Sequence, residues 1–145
     1  MPKISYFSNL MTTRQITLVK NSWGEMLILQ QDPGVCFYNK LFSIDPWLRP
    51  LFKANITDQA RKFIDMITYI TLKLDKFDEV LQDAIDLGKR HRQYNVPNGS
   101  YETVKTALLA TLEENLPDHW NAELEEAWKL AYEKLTSAMR TGEKD

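Results

Sequence analysis

Apolar side chains recur along this chain at the spacing of one helix face, and that recurrence leaves few folds open. Ile16, Val19, Trp23 and Leu27 form a first stripe, behind a Thr12–Gln15 pair whose spacing predicts a capping box. Asp32-Pro33-Gly34 interrupts it, and Val35, Tyr38 and Phe42 share one face of a second helix. Asp45-Pro46 opens a short third helix. From about Thr57, the residues Gln59, Phe63, Ile67, Ile70 and Leu74 follow. Past a charged turn at Leu74-Asp75-Lys76 come Val80, Ala84, Leu87 and His91. The run Asn95-Val96-Pro97-Asn98-Gly99-Ser100 reads as a strong turn. Tyr101, Val104, Leu108, Leu112 and Leu116 make the next stripe, and Pro117-Asp118 ends it. Leu124, Ala127, Trp128, Ala131, Leu135 and Met139 make the last. No segment alternates with period two for long enough to be a strand. The five glycines and six prolines are few and punctuate the stripes. The expectation is an all-α chain of about seven to eight helices.

A length of 145 residues predicts one domain. Residues 1–11 read as an N-terminal extension and residues 12–145 as the folded domain. With 43% hydrophobic and 26% charged residues, disorder is excluded. Eighteen basic residues against twenty acidic ones give a net charge of −2, which argues against a nucleic-acid-binding surface. The single cysteine, Cys36, forms neither an intrachain disulfide nor a multi-cysteine zinc site, and fits a reducing compartment. No apolar run approaches the ~20 residues of a membrane span. The uncharged run from Ile4 to Thr13 contains Ser, Asn and Thr and lacks a secretory apolar core. A cytoplasmic location is expected.

Two of the stripes each contain one polar side chain. His91 continues the Val80-Ala84-Leu87 face, and Gln59 heads the Phe63-Ile67-Ile70 face. Burying an unpaired polar group costs roughly 1–3 kcal/mol, so each needs a partner. Two readings of His91 stand side by side. In one, it ends a helix whose dipole favours it, amid a solvated face of Lys89, Arg90 and Arg92. In the other, its imidazole grips the metal of a cofactor and those cations hold the cofactor's anionic groups. His119 lies in the turn Pro117-Asp118-His119-Trp120 and is expected to be exposed. Without Cys or carboxylates at ligand spacing on the same faces, a dedicated zinc site is not indicated. Cys36 has no evident catalytic partners. Glu113-Glu114 and Glu125-Glu126 fall off the stripes and read as solvated.

These pieces resemble, in order and spacing, the globins, and within them the single-domain bacterial globins related to the haem domain of flavohaemoglobins. The resemblance covers about Thr12 to Met139. It is carried by Trp23, Phe37-Tyr38-Asn39-Lys40-Leu41-Phe42, and Asp45-Pro46 followed by Pro50-Leu51-Phe52. Further on it is carried by Gln59-Ala60-Arg61-Lys62, Leu87-Gly88-Lys89-Arg90-His91 with Tyr94 and Val96, Tyr101, and Ala127-Trp128 with Ala131-Tyr132.

The resemblance implies a globin fold around haem b, with His91 as the proximal iron ligand. It implies that Phe52 packs on the porphyrin plane and that Phe63 walls the distal pocket. Leu87, Val96 and Val104 would pack near the macrocycle, and Lys62 and Arg90 are candidates for its propionates. Tyr38 and Gln59 match that group's distal pair, whose O–H and N–H donors slow the release of a bound dioxygen carrying partial negative charge. Gln59 stands where many animal globins have histidine, so an open sixth position is expected rather than bis-histidine ligation. Tyr101 matches a tyrosine beside the proximal histidine. Glu143 stands at the spacing of that group's proximal acid, although Gly142 and the chain end predict fraying there.

The expected function is reversible binding of dioxygen, or of nitric oxide and other diatomic ligands. The alternatives are nitric oxide dioxygenation with electrons from a separate reductase, and a haem-free all-α interaction module in which His91 and Gln59 are satisfied core polars. The chain carries no Gly-rich dinucleotide loop and stops at Asp145, so the expectation is that it does not collect its own reducing equivalents.

Overall fold

Each apolar stripe closes into a helix, and side-chain caps set where the early ones start. The structure is a computed structural model that describes residues 10–29, 31–52, 55–93 and 100–143. Its α-helices are α1 (Thr13–Leu27), α2 (Pro33–Ile44), α3 (Ile56–Leu72), α4 (Leu81–Gln93), α5 (Ser100–Asn115) and α6 (Ala122–Glu143). Two 3-10 segments, Pro46–Leu51 and Leu74–Glu79, link α2 to α3 and α3 to α4. No strand occurs among the described residues. The architecture is all-α, as the periodicity predicts.

The predicted capping box is present: Gln15 N–H donates to Thr12 Oγ1 at 3.1 Å, and Thr12 N–H donates to Gln15 Oε1 at 2.9 Å. Asp32 caps α2 by accepting from the N–H groups of Gly34 and Val35, with Pro33 pre-set for the first turn. Asp45 accepts from Trp47 N–H and opens the first 3-10 segment. Asn55 accepts from Thr57 N–H at 2.8 Å, so α3 begins at Ile56. The charged turn at Leu74-Asp75-Lys76 is longer than the sequence implies, a 3-10 segment kinked at Lys76 whose Leu74 and Phe77 are buried. The turn residues 95–99 lie outside the described part.

Two indole rings tie the ends of the chain together. Trp23 and Trp128 meet edge to face with centroids 5.8 Å apart. Trp128 Nε1–H donates to Ser22 Oγ and Trp23 Nε1–H donates to Thr68 Oγ1, each at 2.9 Å. These bonds join α1 to α6 and α3 and satisfy both indole N–H groups. Met11, the last residue of the expected extension, is buried in this core, while Leu10 is exposed.

Two helix crossings place the residues of interest. Where α4 meets α6, a Cβ on Gly88 would collide with the Met139 carbonyl oxygen, and a Cβ on Gly142 would collide with that of Ile85. Only glycine lets these backbones approach so closely. Gly142 is therefore buried at a crossing and α6 continues to Glu143, in contrast to the fraying expected there. Where α2 meets α3, Gly34 lies against Ala60, and a Cβ would stand 2.8 Å from both the Ala60 Cβ and its carbonyl oxygen.

Candidate functional site

His91 lies half-buried in the last turns of α4, on the face predicted by Val80, Ala84 and Leu87. Its Nδ1 is 2.8 Å from the Leu87 carbonyl oxygen, one turn back. A carbonyl only accepts, so Nδ1 carries the proton and the neutral ring keeps its lone pair on Nε2. Among the described residues Nε2 has no hydrogen-bond partner. Histidines that hold a metal are commonly oriented by such a bond on the second nitrogen.

Tyr101, in the first turn of α5, faces His91 with ring centroids 6.5 Å apart and planes inclined by 30°. It is buried, and its backbone carbonyl accepts a 2.6 Å hydrogen bond from the Tyr132 hydroxyl. Burial pushes the Tyr132 phenol well above the usual tyrosine range, which keeps it a donor. Val104, one turn after Tyr101, packs half-buried against the core, as does Leu87. Val96 lies outside the described residues, as does the Glu143 side chain.

A second group forms where α2, α3 and the first 3-10 segment converge. Tyr38 is buried within rings: Phe37 at 5.0 Å, Phe52 at 5.2 Å, Phe42 at 5.8 Å and Phe63 at 6.0 Å between centroids. Phe37 and Phe63 stack 4.0 Å apart and nearly parallel. This apolar surround pushes the Tyr38 phenol up to about 12, so it stays protonated at neutral pH. Among the described residues its hydroxyl has no hydrogen-bond partner. Gln59 is half-buried in the first turn of α3, one turn before Phe63 and on the same face. The structure thus gathers Tyr38, Phe52 and Phe63 into one cluster, and His91, Tyr101 and Leu87 into a second.

The remaining candidates are peripheral. Lys62 and Arg90 are exposed. His119 is exposed, with Nδ1 2.7 Å from Glu25 Oε2. Burial and the adjacent Glu114 carboxylate push the Cys36 thiol up, away from a reactive thiolate. A cavity of about 310 Å³ opens elsewhere, between Leu27, Asp32, Pro33, Thr57, Arg61 and Ile64.

Sequence reasoning missed two contributors. Arg140 holds its guanidinium carbon 5.0 Å from the Tyr101 ring centroid, and Tyr132 reaches the Tyr101 carbonyl. Both sit on the Trp128–Tyr132 side of α6, so the i, i+4, i+8 series Tyr132, Thr136, Arg140 was the available signal.

Comparison with known proteins completes the picture. The family model described as Globin matches residues 35–139. A leghemoglobin from Medicago sativa is 31% identical over 142 residues, covering 89% of this chain and 95% of that protein. An anaerobic nitrite reductase from Gossypium hirsutum is 28% identical over 151 residues, covering 94% of this chain and 93% of that protein. A solved structure described as a hexacoordinated heme protein from an anhydrobiotic tardigrade superposes with a TM-score of 0.80, at 21% identity, over 93% of this chain and 96% of that one.

Proposed function

This chain belongs to the globin family and has the globin fold, and on that premise we propose that it binds haem b through His91 and takes up dioxygen or another diatomic ligand beside Tyr38 and Gln59. The observation that carries the reading is the His91 ring, oriented by the Leu87 carbonyl with Nε2 left as an unprotonated donor. The unpartnered Tyr38 hydroxyl in its aromatic surround supports the ligand side.

When bound, haem would supply an iron able to take up a small diatomic ligand. The chain's part is to hold and shield it. His91 would be the protein ligand, Phe52, Phe63, Leu87, Val96 and Val104 would form the apolar walls, and Tyr101 would back the His91 ring. Lys62 and Arg90, exposed cations, would hold the propionates. Tyr38 and Gln59 supply one O–H and one N–H donor toward a ligand with partial negative charge. Of the two, Tyr38 stays protonated at any physiological pH. By the pattern Tyr38, Gln59 and Tyr101 we assign the pocket to the flavohaemoglobin-like type with an open sixth position, in a domain spanning residues 12–145 of a cytoplasmic protein. The two relatives named above are plant proteins.

The test is the visible spectrum of the purified protein, ferric and dithionite-reduced, in wild type and His91→Gly. A five-coordinate high-spin ferrous spectrum that His91→Gly disrupts is expected. A six-coordinate low-spin ferrous form would overturn the open position, and failure to take up haem would overturn the reading. Dioxygen dissociation from the loaded protein is then expected to quicken by about 10-fold or more in Tyr38→Phe, the worth of one charge-assisted hydrogen bond. Gln59→Leu tests the second donor in the same assay.

A second reading is turnover of nitrogen oxides with electrons from a separate reductase, nitric oxide dioxygenation among them. The reductase name of the cotton relative favours an enzymatic role. Sustained nitric oxide consumption with a supplied reductase separates it from ligand storage, since a single turnover is common to oxygenated globins.

A further inference from the structure

We propose that Arg140 is a positioning residue: its guanidinium acts through the Tyr101 ring to set the orientation of the His91 imidazole. The proposal rests on the reading of His91 as the haem ligand. Its geometry is a relay of two contacts, with the Arg140 carbon 5.0 Å from the Tyr101 centroid and the Tyr101 centroid 6.5 Å from that of His91.

The relay is held at both ends by contacts that do not depend on it. Met139, next to Arg140, lies with its backbone against Gly88, which is three residues before His91 on α4. The offset between Arg140 and His91 is thereby set by backbone contact. Tyr132, two turns before Arg140 on α6, holds the Tyr101 carbonyl through its buried 2.6 Å hydrogen bond. The first turn of α5 is tied to the same helix that carries Arg140. That bond pins the Tyr101 main chain, and the guanidinium lying over the buried ring adds to what holds its torsions χ1 and χ2. The His91 ring is in turn restrained on one side by the Leu87 carbonyl and on another by the Tyr101 face.

A cation here has a second consequence. Positive charge over Tyr101 disfavours further positive charge on a metal held by His91. Arg140 therefore holds the ring while raising the reduction potential of a bound iron.

Arg140 is exposed, so its substitution leaves the core intact. In the haem-free chain, the nuclear Overhauser contact between the His91 and Tyr101 ring protons is expected to weaken in Arg140→Gln and to return in Arg140→Lys. In the haem-loaded protein, Arg140→Gln is expected to lower the reduction potential and broaden the iron–histidine stretching band. Both effects should recover in Arg140→Lys, and the band should show no further change when Arg140→Gln is added to Tyr101→Leu. A ring contact and band unchanged in Arg140→Gln would overturn the proposal, as would an Arg140→Gln band change that persists in full without the Tyr101 ring. A wild type that takes up no haem would overturn the haem reading instead, and the ring contact in the haem-free chain still decides whether Arg140 orients His91.

Discussion

Two helix crossings carry the site, and they are closed by different means. At α4–α6, two glycines on opposite helices, Gly88 and Gly142, bring backbone against backbone. At α2–α3, one glycine meets Ala60 and rings add to the contact, with Phe37 and Phe63 stacked and Tyr38 among four phenylalanines. A backbone contact has no rotamer to relieve it, whereas a ring cluster can repack. The element bearing the proposed metal ligand is thus fixed rigidly, and the element bearing the proposed ligand donor sits in adaptable packing. That division suits a histidine that must hold one orientation and a pocket that must admit and release a small molecule.

The largest effect should come from one methyl at the rigid crossing. Gly88→Ala is expected to lose about 3 kcal/mol, the upper part of the overpacking range, because the Met139 carbonyl cannot turn aside. The midpoint of urea unfolding measures this, and a loss under about 1 kcal/mol would dissolve the contrast between the crossings.

At the aromatic crossing, removing one oxygen should matter little near neutrality and more in alkali. Tyr38→Phe deletes a hydroxyl with no partner among the described residues, so neutral-pH stability should stay within about 1 kcal/mol of wild type. In wild type, burial raises the Tyr38 phenol to about 12. The unfolded chain therefore loses this proton near pH 10 while the folded chain keeps it. Stability is whole below about pH 10 and falls as pH climbs toward 12, by on the order of 2–3 kcal/mol for this group. Tyr132, also pushed up by burial, acts with the same sign and remains in the variant. Unfolding midpoints followed from neutral into alkaline pH should fall on a shallower slope in Tyr38→Phe. Equal slopes would show that this phenol is not held from solvent.

The smallest effect supplies the control. Gly24 lies within α1, and a Cβ there would meet nothing within 4 Å. Gly24→Ala is expected to gain about 0.5–1 kcal/mol from helix propensity alone. Thermal unfolding beside Gly88→Ala reads the two signs directly, and a destabilised Gly24→Ala would mean that the glycine contrast is not one of contact.

Much of this was legible in the chain itself where the signal is local. The capping box at Thr12–Gln15, the Asp32-Pro33 start of α2 and the stripe ending at His91 each depend on residues within a few turns of one another. Gln59 and His91 stood out because a polar side chain on an apolar face needs a reason. Gly142 misled, because a glycine near a chain end looks alike whether it frays or lies under another helix. The difference is made by Ile85, 57 positions away. Arg140 falls on the i, i+4, i+8 series of Tyr132 and Thr136, but that series does not name its partner, since Tyr101 meets it only once α5 and α6 are docked.

Helix content, helix order and the faces they bury were determined by the sequence alone, because a 3.6-residue period and short-range caps act within each segment. The candidate ligand His91 was marked the same way. Which backbone touches which was decided only by tertiary structure: Gly88 against Met139, the Tyr132 hydroxyl on the Tyr101 carbonyl, Arg140 over the Tyr101 ring, and four phenylalanines around Tyr38. The physical reason is range. A helix forms from contacts a turn apart, whereas the orientation of a ring or the environment of a phenol is the sum of contacts from segments that meet only in the folded chain.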